Sequence, residues 1–242
     1  MTEMKIFSET CTVKSYETDI NGNLRLFSFM NIVQELAGRH ADCLGFGYED
    51  LKKDNIAWVL ARMQVKFIRI PVWKENITVE TWHKGGDRLF WDRDFIVSDR
   101  DKNEIILATS SWVTIDTLTR RLRKATPIEK DYKGLNLRDA LTDNAEKIIL
   151  PTDMKYEKSK TVTFSDLDIN DHTNNAKYIE WATDIIPLGT VSGKPPVSMT
   201  VNFNLESRYG DKIDFYISVS KKRTVIEGKR ADNSIFTVQL IF

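Results

Sequence analysis

The tripeptide Asp-Ile-Asn occurs twice, at Asp19-Ile20-Asn21 and at Asp168-Ile169-Asn170. Each copy is followed by a related pair of strings. Val65-Lys66-Phe67 precedes Lys74-Glu75-Asn76-Ile77, and Val201-Asn202-Phe203 precedes Gly210-Asp211-Lys212-Ile213. The copies are offset by 149 residues at the first motif and by 136 at the second, so the later copy is 13 residues shorter between them. That shortening falls on a helix and the loop after it, where length change is tolerated. A chain of 242 residues with this pattern is constrained to two related units, which would pack as a pseudo-symmetric pair.

Each unit carries one helical stretch and several strands. Leu26, Phe29, Met30, Val33, Leu36, Ala37 and Leu44 form one apolar stripe and predict a helix over 24–44, with Gly45 as its stop. Tyr178, Ile179, Ala182, Ile185 and Ile186 predict a second over 174–187, ended by Pro187. Val197, Met199, Val201, Phe203 and Leu205 alternate with Ser198, Thr200, Asn202, Asn204 and Glu206, the period of a strand over 197–206. Residues 88–98 and 104–116 read as a hairpin across the charged turn Asp99–Asn103, repeated at 222–230 and 234–242. The fold class is therefore α+β: two tandem units, each an antiparallel sheet wrapped around one long helix. Their expected extents are 1–128 and 154–242, joined by a linker over 129–153. The pattern is weak across 119–156, between Pro127 and Pro151, which reads as a connection running over the surface.

Bulk properties exclude several classes. Lys+Arg and Asp+Glu both number 35, and a nucleic-acid partner normally demands a basic excess. Hydrophobic residues make up 41% of the chain, enough for a core. No apolar run approaches the roughly 18–20 residues of a membrane span, and no apolar stretch of a signal peptide follows Met1. Cys11 and Cys43 lack metal-ligand spacing, so neither a metal nor a cofactor is expected. The expected compartment is a reducing cytoplasm.

The two copies differ where chemistry could sit. The later motif places His172 two residues after Asn170, where the earlier one has Asn23. Glu206 ends the polar face of strand 197–206, and the 136-residue offset puts Ile70 at the related position, with Ile68 also on that face. Asp168, Asn170 and His172, read as an extended segment, project from one face just ahead of a helix capped by Asn174-Asn175. An Asp/Asn cluster before a helix also describes an ordinary capped turn. The joint loss of imidazole and carboxylate from one half favours a functional unit of Asn170, His172 and Glu206, in a duplicated chain with one surviving site.

Residues 166–181, Asp-Leu-Asp-Ile-Asn-Asp-His-Thr-Asn-Asn-Ala-Lys-Tyr-Ile-Glu-Trp, closely resemble the signature of the acyl-[acyl-carrier-protein] thioesterases. Thr119–Pro127 and Leu205-Glu206-Ser207 resemble two further segments of that family, in the same order. The resemblance implies two fused hot-dog units and hydrolysis of a fatty acyl thioester carried by acyl carrier protein. It carries over Asp168, Asn170, His172 and Glu206 as catalytic residues. Plant members commonly have cysteine after the glutamate. Here the residue is Ser207, which favours direct attack by water over a cysteine acyl-enzyme.

On this reading Glu206 is the base, Asn170 positions the water or carbonyl, and His172 serves the oxyanion or the leaving thiolate. Asp168 orients the loop through backbone N–H groups or the Asn170 amide. Met30, Leu36, Ile68 and Ile70 are candidates for an acyl slot, or are simply core. Arg120, Arg121, Arg123 and Lys124 could steer the acidic carrier protein, or form a solvated basic loop. His40, expected near the polar side of the first helix, and His83 read as structural, and Trp58, Trp91 and Trp181 as packing. An acyl-CoA thioesterase on the same fold and a non-catalytic acyl-thioester-binding protein are the alternatives. A hot-dog hydratase fits less well, because its Asp/His pair does not include a glutamate on the later strand. Monomer and homodimer are both open.

Overall fold

The computed structural model describes residues 6–87, 89–123 and 138–242. Ten strands form one sheet: β1 (Phe7–Thr12), β2 (Ile56–Phe67), β3 (Asn76–Asp87), β4 (Phe90–Asp99), β5 (Glu104–Asp116), β6 (Lys155–Thr161), β7 (Ser198–Phe203), β8 (Lys212–Val219), β9 (Arg223–Arg230) and β10 (Asn233–Ile241). Their order is β1-β3-β4-β5-β2-β7-β10-β9-β8-β6, with every neighbouring pair antiparallel. Five strands from each half meet where β2 pairs β7, with Gln64 opposite Thr200. Among the described residues the α-helices are α1 (Leu26–Cys43), α2 (Tyr48–Lys52), α3 (Asn175–Asp184) and α4 (Leu188–Gly193). Among the described residues no helix is long and apolar enough to cross a membrane.

The apolar stripe of α1 is buried as expected, through Leu26, Phe29, Met30, Val33, Leu36 and Ala37. Gly45, at φ +79°, ends the helix. Phe46 N–H donates to Ala41 O and Gly45 N–H to Asp42 O, both 3.1 Å, which is the Schellman arrangement that leaves a glycine in the left-handed region. α1 and α3 pack on each other, and one continuous apolar core joins Phe29, Met63 and Phe95 to Ile179, Met199 and Phe236. The two units therefore share a single hydrophobic interior.

The repeat is visible bond by bond. Val13 N–H donates to Glu75 O, and Val162 N–H to Asp211 O, both 2.9 Å. Leu24 N–H donates to Pro71 O at 2.9 Å, and Thr173 N–H to Ser207 O at 2.8 Å. Each pair obeys the 149-residue offset on one side and the 136-residue offset on the other.

Several expectations need correction. β7 stops at Phe203, so Glu206 lies on the loop after the strand, and Val197 and Leu205 are exposed. Asn202, expected on a polar face, is buried. Its Oδ1 accepts from Ile148 N–H at 2.7 Å and its Nδ2 donates to Glu146 O at 2.9 Å. The stretch from 138 to 149 thus lies against the sheet, with Ala140, Ala145 and Ile148 buried and Ala140 N–H bonded to Asp94 at 2.7 Å. The second helix ends at Asp184, before Pro187, which instead caps α4. His40 is fully buried, its Nδ1 2.8 Å from Arg93, because it continues the buried stripe of α1. The expected 128/129 boundary, the start of the linker, Lys124 and the Thr126-Pro127 end of the basic motif lie outside the described residues.

Candidate active site

The Asp168 motif is a tight turn and not an extended segment. Asp168 N–H donates to His172 O at 2.8 Å, Asp171 N–H to Asp168 O at 3.1 Å, and Asn170 N–H to Asp168 Oδ1 at 2.8 Å. Asp171 takes φ +60° at its corner. The first copy makes the same turn: Asp19 N–H donates to Asn23 O at 2.8 Å and Gly22 N–H to Asp19 O at 3.0 Å, with Gly22 at φ +79°. Asp168 and Asp19 therefore do the same thing, collecting turn N–H groups on a carboxylate. After the turn, Asn174 caps α3 by accepting from Ala176 N–H at 2.9 Å. Gln34 of α1 donates to the same Asn174 Oδ1 at 3.0 Å, so the first unit braces the entry to α3.

The turn delivers His172 to Glu206. His172 Nε2 lies 3.3 Å from Glu206 Oε1, with side chains 17% and 35% exposed. Two guanidiniums share this spot. Arg208 Nη2 is 3.1 Å from His172 Nε2 and 3.3 Å from Glu206 Oε1, and Arg120 forms an ion pair with Glu206 Oε2. Arginine can only donate and a carboxylate can only accept, so Nε2 takes a proton from Arg208 or gives its own to Glu206, according to the tautomer. Partial burial, then the Arg120 and Arg208 charges, push the His172 pKa below the ordinary histidine value, against the pull of Asp168 and Asp171. The resting site thus pairs a neutral imidazole with a carboxylate held by two arginines.

Asn170 is exposed at the turn, and its side chain makes no hydrogen bond to any described residue. The first half offers none of this chemistry at the related positions, where Asn23, Ile70 and Val72 stand for His172, Glu206 and Arg208. The Val72 equivalence is direct, since Val72 N–H donates to Glu75 and Arg208 N–H to Asp211. Sequence reasoning missed Arg208, which the same 136-residue offset could have singled out.

The other sequence candidates are dispersed. Met30 and Leu36 are packed in the common core, Ile70 sits at its margin, and Ile68 is 56% exposed, so the four do not line one slot. A cleft of about 190 Å³ is lined by Phe27 and Asn31 of α1 and by Leu167, Asn174 and Ala176 at the entry to α3, and includes neither His172 nor Glu206. Arg120, expected to face a partner, is turned onto Glu206 from a backbone at φ +59°. Arg121 is exposed, and Arg123 is tied to Asp54 O and Asp116. Among the described residues no three His, Cys, Asp or Glu side chains cluster as a metal would require.

Comparison with known proteins places this arrangement. The model of the acyl-ACP thioesterase N-terminal domain matches residues 4–132, and that of the C-terminal domain matches 150–235. The chain belongs to the acyl-ACP thioesterase family. A chloroplastic palmitoyl-acyl carrier protein thioesterase from Gossypium hirsutum is 32% identical over 235 residues, covering 90% of this chain and 56% of the relative. The chain spans little more than half the length of the curated relatives it matches. A crystal structure of an acyl-ACP thioesterase from Bacteroides thetaiotaomicron superposes with a TM-score of 0.90 at 29% identity, covering 100% of both chains. The 12:0-ACP thioesterase from Umbellularia californica shares the fold, with a TM-score of 0.86 at 23% identity over 98% of this chain and 96% of that one. The paired hot-dog architecture expected of the family is thus the architecture of this acyl-ACP thioesterase relative.

Proposed function

We propose that this chain hydrolyses the thioester of fatty acyl-acyl carrier protein to a free fatty acid and the carrier thiol. The observation that carries the reading is the convergence of His172 and Glu206, at 3.3 Å, in the one half that keeps both. Family membership supports the substrate class.

A water hydrogen-bonded to Glu206 attacks the thioester carbonyl carbon. Glu206 takes its proton. Asn170, whose amide is not engaged by other described residues, donates to the carbonyl oxygen as it becomes an oxyanion. The carbon–sulfur bond breaks, and the proton passes from Glu206 through His172 to the departing sulfur. Asp168 acts through the turn: its carboxylate holds the Asn170 N–H, which fixes where Asn170 and His172 point.

The test is thiol release from palmitoyl-acyl carrier protein and from palmitoyl-CoA, with wild type, Glu206→Ala and His172→Ala. The carrier-protein substrate should show the higher kcat/KM. Each variant should lose on the order of 10²-fold or more in kcat, the scale on which single oxyanion or proton-transfer groups act, while remaining folded. Near-normal kcat in either variant removes that residue from the mechanism. Absence of thiol release from both substrates removes the reading altogether.

A further inference from the structure

Behind the site lies a second, buried polar cluster. Ser207 Oγ is 2.7 Å from Thr173 Oγ1 and 2.9 Å from the Tyr178 hydroxyl, and Ser207 N–H donates to that hydroxyl at 3.1 Å. All three residues are buried, with Ser207 0% exposed. Burial pushes the Tyr178 pKa up, so its hydroxyl keeps its proton and can donate. Thr173 directly follows His172, Ser207 directly follows Glu206, and Tyr178 lies on α3. The cluster therefore joins the two loops that carry the imidazole and the carboxylate, and fixes both to one helix.

The first half is an internal control. Its related positions are Leu24, Phe29 and Pro71, all apolar and buried. The backbone bond between the two loops is nevertheless kept, Leu24 N–H to Pro71 O at 2.9 Å against Thr173 N–H to Ser207 O at 2.8 Å. The fold thus forms at this place without any of the three hydroxyls. Burying hydroxyls stabilises a protein little, because each exchanges water partners for protein ones. The half that dropped His172, Glu206 and Arg208 equivalents also dropped all three.

Resting on the function proposed above, we propose that Thr173, Tyr178 and Ser207 are positioning residues that hold His172 and Glu206 in register for thioester hydrolysis. The backbone bond sets the spacing of the two loops, and the hydroxyl cluster sets the direction in which the adjacent side chains leave them. Ser207 Oγ faces this buried cluster and not the site, so its place is that of a strut and not of a nucleophile.

The test uses Tyr178→Phe and the triple variant T173V/Y178F/S207A, with Thr173→Ser as the hydroxyl-keeping control. Three readouts are needed: the melting temperature, kcat and KM on palmitoyl-acyl carrier protein, and the NMR titration of His172, assigned with His172→Asn. His172 faces Arg120, Arg208, Glu206, Asp168 and Asp171. A ring that swings away from the two arginines titrates higher. The triple variant should stay folded and keep its KM, its melting temperature falling by no more than roughly 10 °C for the Ser207 N–H left without Tyr178. Its kcat should fall roughly 10- to 100-fold, the cost of misplacing a reacting group by about 1 Å, and its His172 titration should move up. Thr173→Ser should behave as wild type. Unchanged kcat and unchanged His172 titration overturn the proposal. A loss of kcat that merely tracks a loss of melting temperature also overturns it. If wild type releases no thiol, the proposed function fails, and the His172 titration still decides the positioning role by itself.

Discussion

The duplicated turn allows the two roles of an aspartate to be separated within one molecule. Asp19 Oδ1 accepts from Asn21 N–H at 2.8 Å and from Asn23 N–H at 2.9 Å. Asp168 Oδ1 accepts from Asn170 N–H at 2.8 Å, while His172 N–H stands off at 3.5 Å. A hydrogen bond to a charged group contributes about 1.5–3 kcal/mol, and solvent exposure of both turns reduces that to about 1 kcal/mol per well-made bond. Asp19→Ala should therefore cost about 2 kcal/mol and Asp168→Ala about 1 kcal/mol. For a chain of this size those losses lower the melting temperature by roughly 4–8 °C and 2–4 °C. Activity should run the other way. Asp19→Ala should turn over substrate normally, because its turn carries no imidazole. Asp168→Ala should lose most of its kcat. Asp168→Asn keeps the acceptor oxygen and should keep most of the activity. Calorimetry and thiol release from acyl-acyl carrier protein read both scales. A folded Asp168→Asn variant as inactive as Asp168→Ala would refute the argument, because the charge itself would then be needed in the chemistry.

Two further outcomes follow from the core. Burial, then Arg93 and His40, hold the His83 pKa well below its ordinary 6.5, and that of His172 is also lowered. The unfolded chain takes up these protons near pH 6.5 and the folded chain does not, so stability is full above that pH and is lost as pH falls, by up to about 1.4 kcal/mol per pH unit per histidine; urea midpoints should decline on acidification, less steeply in His83→Gln, and a midpoint that rises would contradict this. Met199 is fully buried opposite Val65 on the β2–β7 seam, so Met199→Ala should cost about 2–5 kcal/mol and shift one single transition; two separated transitions would show that the halves do not share a core.

The sequence made the repeat legible because both offsets survive in backbone pairing. The hairpin strand 104–116 and the buried stripe of α1 also stand as read, since long periodic segments leave little choice of partner face. His172 and Glu206 could be paired from sequence because one half retains what the other lost. What escaped depends on chain direction in space. Alternation carried strand 197–206 too far, although the pattern simply persists beyond the last ladder pair at Phe203. Ile68 is apolar yet points out, and Asn202 is polar yet lies beneath the connection. Arg120 reaches Glu206 across 86 residues of sequence, a contact that no local pattern encodes.

Among the described residues the sheet ends at β6, which pairs there on one side only. Its outermost backbone is flanked by Lys155, Glu157 and Lys158, all exposed, and its register slips between Tyr156 and Lys158. A further strand laid along that rim would have to dehydrate ammonium groups and match a bent ladder. The rim thus discourages unplanned stacking of chains edge to edge, and so guards against fibre growth in a protein whose broad sheet would otherwise invite it.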